Sequence, residues 1–574
     1  MRSYAEALAV AESWTKAPFD NDTITSVRAI LSLPEAEREK AILDQFGYDL
    51  SFGTAGMRAL MDVGTARMNQ YTIARVSAAV AQVLKSQVKD KTPKVVIGFD
   101  ARRNSEKFAK IAAQVYLAAG IEVHRFNRIV PTPVVPFFVR RLGADCGVVI
   151  TSSHNTAPYN GYKVYAANGA QILSPFDTDV MAAMAQLPYA LPTAAAQGGK
   201  LVDLSDEILR DYVSWVVSEV DFAKDRSQKI VFTPLHGAAG ALMNAVFYKS
   251  GFKNFLPVPQ QYEPHPGFPT VKAPNPENKD SLVMALEKAE EDKADLILAT
   301  DGDGDRIGIA YRNSSGKFET LTGNQIGTVL LYYLLCKLRE QKKLRPNLFA
   351  LCSVVSTPLT RTICEKFGIT FHETLTGFKN MGNKAHEIQL QDPNARMVLA
   401  YEEAFGVTIG DSRDKDGIIS NLLAAHIAAD HGGFAHWLKA MYDECGYAAE
   451  DAVEKEFPGA AGIDAMTNLI EQIRQAPPKE FLGHPVASAR DFKSLKEIRD
   501  GKEFAITHVP AQNLLYFTNA NGDWVAIRPS GTEPKVKAYL GVREQAAYSP
   551  ETVAHAHQRL EQLKAFATSL LQGS

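Results

Sequence analysis

A hydroxyl, an imidazole and an ammonium group gather in one short stretch of this chain. Thr151-Ser152-Ser153-His154-Asn155 follows the apolar run 146–150 and precedes Asn160-Gly161-Tyr162-Lys163. A small nucleophile held at a strand end, with His154 and Lys163 nearby, suits phosphoryl transfer. Ser, His and Asn after a strand also form ordinary hydrogen-bonded turns. The chemical reading therefore depends on what else the chain carries.

A second stretch, Thr300-Asp301-Gly302-Asp303-Gly304-Asp305-Arg306, places carboxylates at alternate positions after an apolar run. Such a loop can fold its oxygens around a hard divalent cation. A calcium EF-hand is excluded, because Arg306 and Arg312 stand where that loop needs its glycine and its last glutamate. Three carboxylates alone leave coordination positions open, which favours magnesium shared with a phosphate. As a bare acidic turn, the same carboxylates would repel one another.

Two further stretches follow predicted strands. Arg528-Pro529-Ser530-Gly531-Thr532-Glu533-Pro534 offers an arginine fork, hydroxyls and backbone amides, the parts of a phosphate cradle or of a polar turn. Glu402-Glu403-Ala404-Phe405-Gly406 supplies carboxylates that could accept hydrogen bonds from sugar hydroxyls, or could cap a helix. Together with Gly53-Thr54-Ala55-Gly56-Met57-Arg58, these segments resemble, in order and over about residues 49–540, the α-D-phosphohexomutases, which include phosphoglucomutase and phosphomannomutase.

The resemblance implies a phosphoryl group on Ser153, with magnesium held by Asp301, Asp303, Asp305 and Ser153. It implies that Arg58, His154, Lys163 and Arg306 surround the transferring phosphate. Thr376-Gly377-Phe378-Lys379 resembles the sugar-selecting loop, and Glu402 the carboxylate that grips sugar hydroxyls, with Ala404 beside it. Lys415 matches a lysine near the reacting hydroxyl; His154, Lys163 and Lys415 are the candidate bases. Arg528, Ser530, Gly531 and Thr532 would bind the phosphate that is not transferred. The expected reaction interconverts glucose 1-phosphate and glucose 6-phosphate, with glucose 1,6-bisphosphate as intermediate and activator.

Some positions depart from the pattern. Ala404 replaces a serine, Thr156 a proline, and no histidine follows Gly406, so sugar preference stays open between glucose, mannose and pentose phosphates. A hexose bisphosphate synthase, a plain phosphatase and a phosphosugar-binding regulator without catalysis are the competing readings. The intact serine, carboxylates and Lys163 argue against the regulator, and a second phosphate cradle argues against the phosphatase.

The elements that must position these groups are legible in outline. At 574 residues the chain exceeds one hydrophobic core and implies roughly three to five domains. Apolar runs at 95–99, 147–151, 229–233, 295–300, 348–355 and 397–401 alternate with helical patterns at 106–119, 238–250, 280–291 and 323–337, the signature of α/β structure. The runs 514–518, 524–527 and 536–540, with a turn at 519–522 and a closing helix at 552–571, read as an antiparallel α+β unit. The expectation is three consecutive α/β domains with mixed sheets (1–205, 206–320 and 321–448) and a C-terminal α+β domain (449–574) that acts as a lid over a central cleft. Joints are expected near 197–204, 317–323 and 446–458.

Composition bounds the partners. Hydrophobic residues at 46%, charged residues at 22% and a net charge of -3 describe a folded chain without the basic surface that nucleic acid or an anionic membrane would attract. No apolar run reaches the roughly 20 residues of a membrane span, and no signal peptide is read. The five cysteines show no CxxC pair and read as core residues of a reducing, cytoplasmic compartment. A small phosphosugar is the expected partner, and a monomer or weak dimer the expected assembly.

Overall fold

The computed structural model describes residues 1–53, 56–192, 198–457, 462–530 and 535–573. Four sheets follow one another along the chain. In the first, Lys94–Phe99 runs parallel to both Cys146–Ile150 and Glu122–Phe126. Tyr159–Ala166 returns antiparallel beside Cys146–Ile150 and pairs in turn with Met57–Leu60. Every residue of Cys146–Ile150 is buried, which explains why it reads as a continuous apolar run rather than an alternating one.

The second sheet is centred on Ile230–Thr233 and Leu296–Ala299, which are parallel, with Gly308–Arg312 antiparallel at one side. The third sets Leu348–Ser353 parallel to Thr370–Thr374 and Arg396–Glu402, with Gly406–Ile409 antiparallel to the last. The fourth is antiparallel throughout, from Tyr447–Glu456 to Lys502–Ala505, with the helices Gly462–Gln475 and Pro550–Gln572 against it. Three α/β domains and an α+β domain are thus present, as the apolar pattern implied. One apolar cluster reaches through all four, from Phe138 by way of Phe232 and Leu331 to Leu540.

Edge strands lie within the described residues of the segments expected as joints. Leu201–Leu204 pairs with Glu122–Phe126, Phe318–Thr320 with Gly308–Arg312, and Tyr447–Glu456 with Lys535–Glu544. Asp203, Glu319 and Asp451 are exposed at these sheet edges, and a half-exposed strand of this kind has the composition of a linker. Three helices, Tyr4–Ser13, Asn21–Leu31 and Glu35–Phe46, precede the first sheet and close over Trp14 and Tyr71. No helix among the described residues is long and apolar enough to cross a membrane.

The candidate chemistry sits where open α/β sheets place it, at the carboxyl ends of parallel strands. The serine turn leaves Cys146–Ile150, the acidic loop leaves Leu296–Ala299, and Glu402 ends Arg396–Glu402.

Candidate active site

Ser153 is buried in a left-handed conformation at φ +52°, a strained geometry for a residue with a side chain. Its amide donates to Thr151 Oγ1 at 2.8 Å, and the Thr151 hydroxyl donates to Asp100 Oδ2 at 2.6 Å. Arg102 completes the frame. Its Nη2 donates to the carbonyls of Ser153, at 2.6 Å, and Asn155, and its Nη1 to those of Thr156 and Tyr159 at 2.9 and 3.1 Å. Its Nε lies 3.2 Å from Asp100 Oδ2. A guanidinium fork suits this task because its donors are fixed in one plane. Sequence reasoning missed Arg102; the signal was a charged triplet, Asp100-Ala101-Arg102, placed directly after the buried strand Lys94–Phe99.

The serine hydroxyl faces the acidic loop of the second domain. Ser153 Oγ donates to Asp301 Oδ2 at 2.8 Å and lies 3.2 Å from His154 Nδ1. Gly302 permits the approach, since a Cβ there would sit 2.9 Å from the Ser153 carbonyl. Asp301 Oδ1 accepts the amides of Asp305 and Arg306 at 3.0 and 3.1 Å, which curls the loop around its own first carboxylate. Lys163 Nζ, fully buried, bridges Asp303 Oδ2 and Asp305 Oδ2 at 2.8 and 2.9 Å, and Lys415 Nζ reaches Asp305 Oδ2 at 3.1 Å.

This leaves two oxygens over. Among the described residues, Oδ1 of Asp303 and Oδ1 of Asp305 are buried without a partner. One oxygen from each of Asp301, Asp303 and Asp305 falls within 4.8 Å of the others. An all-oxygen set with two unsatisfied anionic atoms fits a hard divalent cation such as magnesium.

Electrostatics sort the surrounding groups. Burial, then Asp303 and Asp305, push the Asp301 carboxyl well above its ordinary value. Burial opposes the charge of Asp303, but Lys163 and its hydrogen bond hold that carboxylate far below the usual range. Burial likewise opposes the ammonium of Lys163, and Asp303 and Asp305 outweigh it. His154 moves the other way: burial, followed by Arg306 and Arg58, drives its pKa well below the ordinary value and keeps the ring neutral. Arg58 donates to Asn155 Oδ1 at 3.1 Å and Arg306 to Glu277 Oε2 at 3.2 Å. Each keeps its Nε buried without a partner among the described residues.

The third domain supplies the opposite wall. Glu402 Oε1 accepts the amide of Gly377, and burial, then the neighbouring Glu403, raise its carboxyl to about 7. Lys415 crosses directly over Gly406, where any Cβ would collide with its stem. Asp414 steers that lysine: Tyr165 OH and Gln171 Nε2, both from the first domain, donate to its Oδ2 at 2.7 Å each. Asp416 accepts from Tyr212 OH at 2.7 Å and caps the helix Gly417–Ala429. Neither aspartate was read as a site residue, although alternating charge in front of an apolar helix marks a buried charged turn.

The fourth domain reaches this wall through Arg528, whose Nη1 donates to Thr376 Oγ1 at 2.6 Å. The Ser530 amide donates to the Lys535 carbonyl at 2.8 Å. Gly531 and Thr532, read above as part of the cradle, lie outside the described residues, as do Thr54 and Ala55. The structure therefore gathers Arg58, Ser153, His154, Lys163, Asp301, Asp303, Asp305, Arg306 and Lys415 in one cluster. Thr376, Gly377, Glu402 and Arg528 form a second group, with Ala404 two residues along from Glu402.

Known proteins carry the same architecture and order. Residues 49–189, 210–316 and 322–445 match, in turn, the phosphoglucomutase/phosphomannomutase alpha/beta/alpha domains I, II and III, and residues 485–549 match the C-terminal domain of the same family. A phosphopentomutase of Pongo abelii is 34% identical over 562 residues, covering 91% of this chain and 89% of its own. A phosphoglucomutase of Staphylococcus haemolyticus (strain JCSC1435) is 32% identical over 509 residues, covering 87% of this chain and 91% of its own. The crystal structure of a putative phosphomannomutase from Thermus thermophilus shares the fold with a TM-score of 0.66 at 21% identity, over 91% of this chain and 99% of that one. With all four domains matched in sequence, the chain belongs to the phosphoglucomutase/phosphomannomutase family of intramolecular phosphotransferases.

Proposed function

We propose that this enzyme interconverts glucose 1-phosphate and glucose 6-phosphate through a phosphoserine at Ser153 and a hexose bisphosphate. One observation carries the reading: the Ser153 hydroxyl lies 2.8 Å from a carboxylate of a buried three-aspartate cluster that has two oxygens without a partner among the described residues. A nucleophile inside a hard-cation site is what phosphoryl transfer requires.

Asp301, Asp303, Asp305 and Ser153 would hold magnesium, which when bound neutralises charge spreading over phosphoryl oxygens. In the first half of the cycle a sugar hydroxyl attacks phosphorus, the new sugar oxygen–phosphorus bond forms as the Ser153 oxygen–phosphorus bond breaks, and the hydroxyl proton passes to a base. His154 is the neutral candidate base, whereas Lys163 and Lys415 are held as cations by Asp303 and Asp305. Among the described residues Arg58 and Arg306 each have an Nε donor without a partner, available to the equatorial oxygens. Glu402 accepts from sugar hydroxyls, with Thr376 and Gly377 beside it. Arg528, with Ser530, Gly531 and Thr532, binds the second phosphate while the bisphosphate turns end for end, and the reverse transfer restores phosphoserine. Glucose 1,6-bisphosphate is the expected activator.

A pentose reading also has support, because relatives named phosphopentomutase match over nine-tenths of the chain. Comparing kcat/KM for glucose, mannose and ribose 1-phosphates tests the sugar. The Ser153→Ala variant tests the mechanism: turnover should fall at least about 1000-fold with folding retained, since one hydroxyl is lost. Activity close to wild type in that variant, assayed with the bisphosphate present, would overturn the assignment.

A further inference from the structure

A cavity of about 650 Å³ lies apart from the catalytic cleft. It opens between the third domain, which contributes Ser353, Ser356 and Arg361, and the fourth, which contributes Arg490, Arg499 and Arg543. Trp524 begins one central strand of the fourth sheet and Arg543 is the last residue but one of its neighbour, and both line the cavity. The strand Trp524–Pro529 leads away from the cavity to Arg528, roughly 13 Å from Trp524 at the rise of an extended strand. The cavity and Arg528 thus occupy opposite ends of one strand.

The cavity walls hold an excess of positive charge. Arg361, Arg490, Arg499, Arg543 and His508 face it, against the carboxylates of Glu373 and Glu497. Glu373 Oε2 is engaged by Arg490 at 2.7 Å and His508 at 3.1 Å. Glu497 accepts the Ser488 hydroxyl at 2.9 Å and stands 3.9 Å from Arg499. Among the described residues Arg361 pairs with no carboxylate; its guanidinium lies 4.7 Å over the Phe371 ring. Arg543 donates to the Cys445 carbonyl at 3.1 Å and keeps a buried Nε without a partner. Arg361 and Arg543 stand on facing walls and pair with no carboxylate among the described residues, which makes a receptor for an anion.

We propose that this cavity binds a small polyanion, bearing phosphate or carboxylate groups, that bridges Arg361 of the third domain to Arg499 and Arg543 of the fourth. Its volume falls within the range of small-molecule sites and is too small for a macromolecular partner. The bound anion would pin the fourth domain to the third, and with it the position of Arg528. The site does not depend on the sugar preference proposed above, so mutase assays and anion titrations can fail separately.

Calorimetric titration of the full chain with inorganic pyrophosphate and, separately, with citrate tests the site and distinguishes phosphate from carboxylate. The comparison protein is Arg361→Ser/Arg499→Ser, which leaves every cleft residue in place. At least one probe should saturate the wild type and bind the double variant at least tenfold more weakly, with hydrogen exchange of 496–505 slowed only in the wild type. In the absence of either anion, kcat and KM for glucose 1-phosphate should be the same in both proteins. If neither probe tells the two proteins apart, its binding lies in the cleft or on the surface, and the proposal is overturned.

Discussion

Tyr165 and Asp414 join the first domain to the third through one buried hydrogen bond, the phenol donating to the carboxylate at 2.7 Å. Both residues are buried, and the amide of Lys415 donates to the other oxygen of the same carboxylate at 2.8 Å. The position of Lys415 is therefore fixed from the first domain, although its own chain segment belongs to the third.

Tyr165→Phe removes this donor and leaves Gln171 alone on Asp414 Oδ2. Misplacing a group near the reacting atoms by about 1 Å can cost 100-fold in rate. The expected result is a fall in kcat of about 10-fold to 100-fold with little change in KM. A rise in KM with kcat intact would show that Lys415 is not the group being positioned.

Arg102→Leu should destabilise the chain by about 3–5 kcal/mol, because it leaves the Asp100 carboxylate buried without its cation. Urea unfolding measures the loss. Activity should fall further than stability explains, since the donors that hold the Ser153 turn in its left-handed conformation disappear with the guanidinium.

Magnesium binding should be visible without turnover. At about 100 times its dissociation constant, a ligand specific for the folded state adds roughly 2.7 kcal/mol of stability. Wild-type protein stripped with a chelator should melt at a lower temperature and recover when magnesium is restored. Asp303→Asn should lose most of this response, because it replaces one of the two unsatisfied carboxylate oxygens with a neutral group.

Glu450, at the base of the fourth domain, provides a pH dependence away from the cation site. Burial raises its carboxyl to about 7 from an ordinary 4.5, against a weaker opposing hydrogen bond from Thr357, and its Oε1 has no partner among the described residues. Between these values the folded chain holds a proton that the unfolded chain has released. Stability from this group is complete below pH 4.5 and is lost as pH rises through 7, by about 1–3 kcal/mol. Glu450→Gln should melt at a higher temperature than wild type at pH 8 and near the wild-type value at pH 4.5. An equal difference at both pH values would mean that the carboxyl does not titrate in this range.

The parts of the fold that were legible in the sequence are those where burial writes a pattern. Cys146–Ile150 and Leu296–Ala299 are enclosed on both faces, and their apolar runs marked them. The hairpin formed by Lys496–Arg499 and Lys502–Ala505 was missed because its residues are charged and largely exposed. Its signal was the pair Asp500-Gly501, both at positive φ, the turn that joins tightly paired strands. At the site, Ser153 and the three aspartates stood out because they are close in sequence, and spacing is visible in one dimension. Arg102 and Asp414 act across 51 and 249 residues, on the Ser153 carbonyl and the Tyr165 hydroxyl respectively. A partner that distant leaves no local pattern.

The acidic loop is stitched to the third domain through its backbone. Arg306 bridges to Gly406, the Ile307 amide donates to the Phe405 carbonyl at 3.1 Å, and the Gly417 amide to the Gly304 carbonyl at 3.2 Å. A Cβ on Gly417 would meet the Arg306 carbonyl at 2.5 Å. The acidic loop and the strand end that carries Glu402 are thus held together as one piece. Recombination that exchanged the third domain between relatives to alter sugar preference would have to carry Gly406 and Gly417 with it, or the newcomer would displace the aspartates of the host.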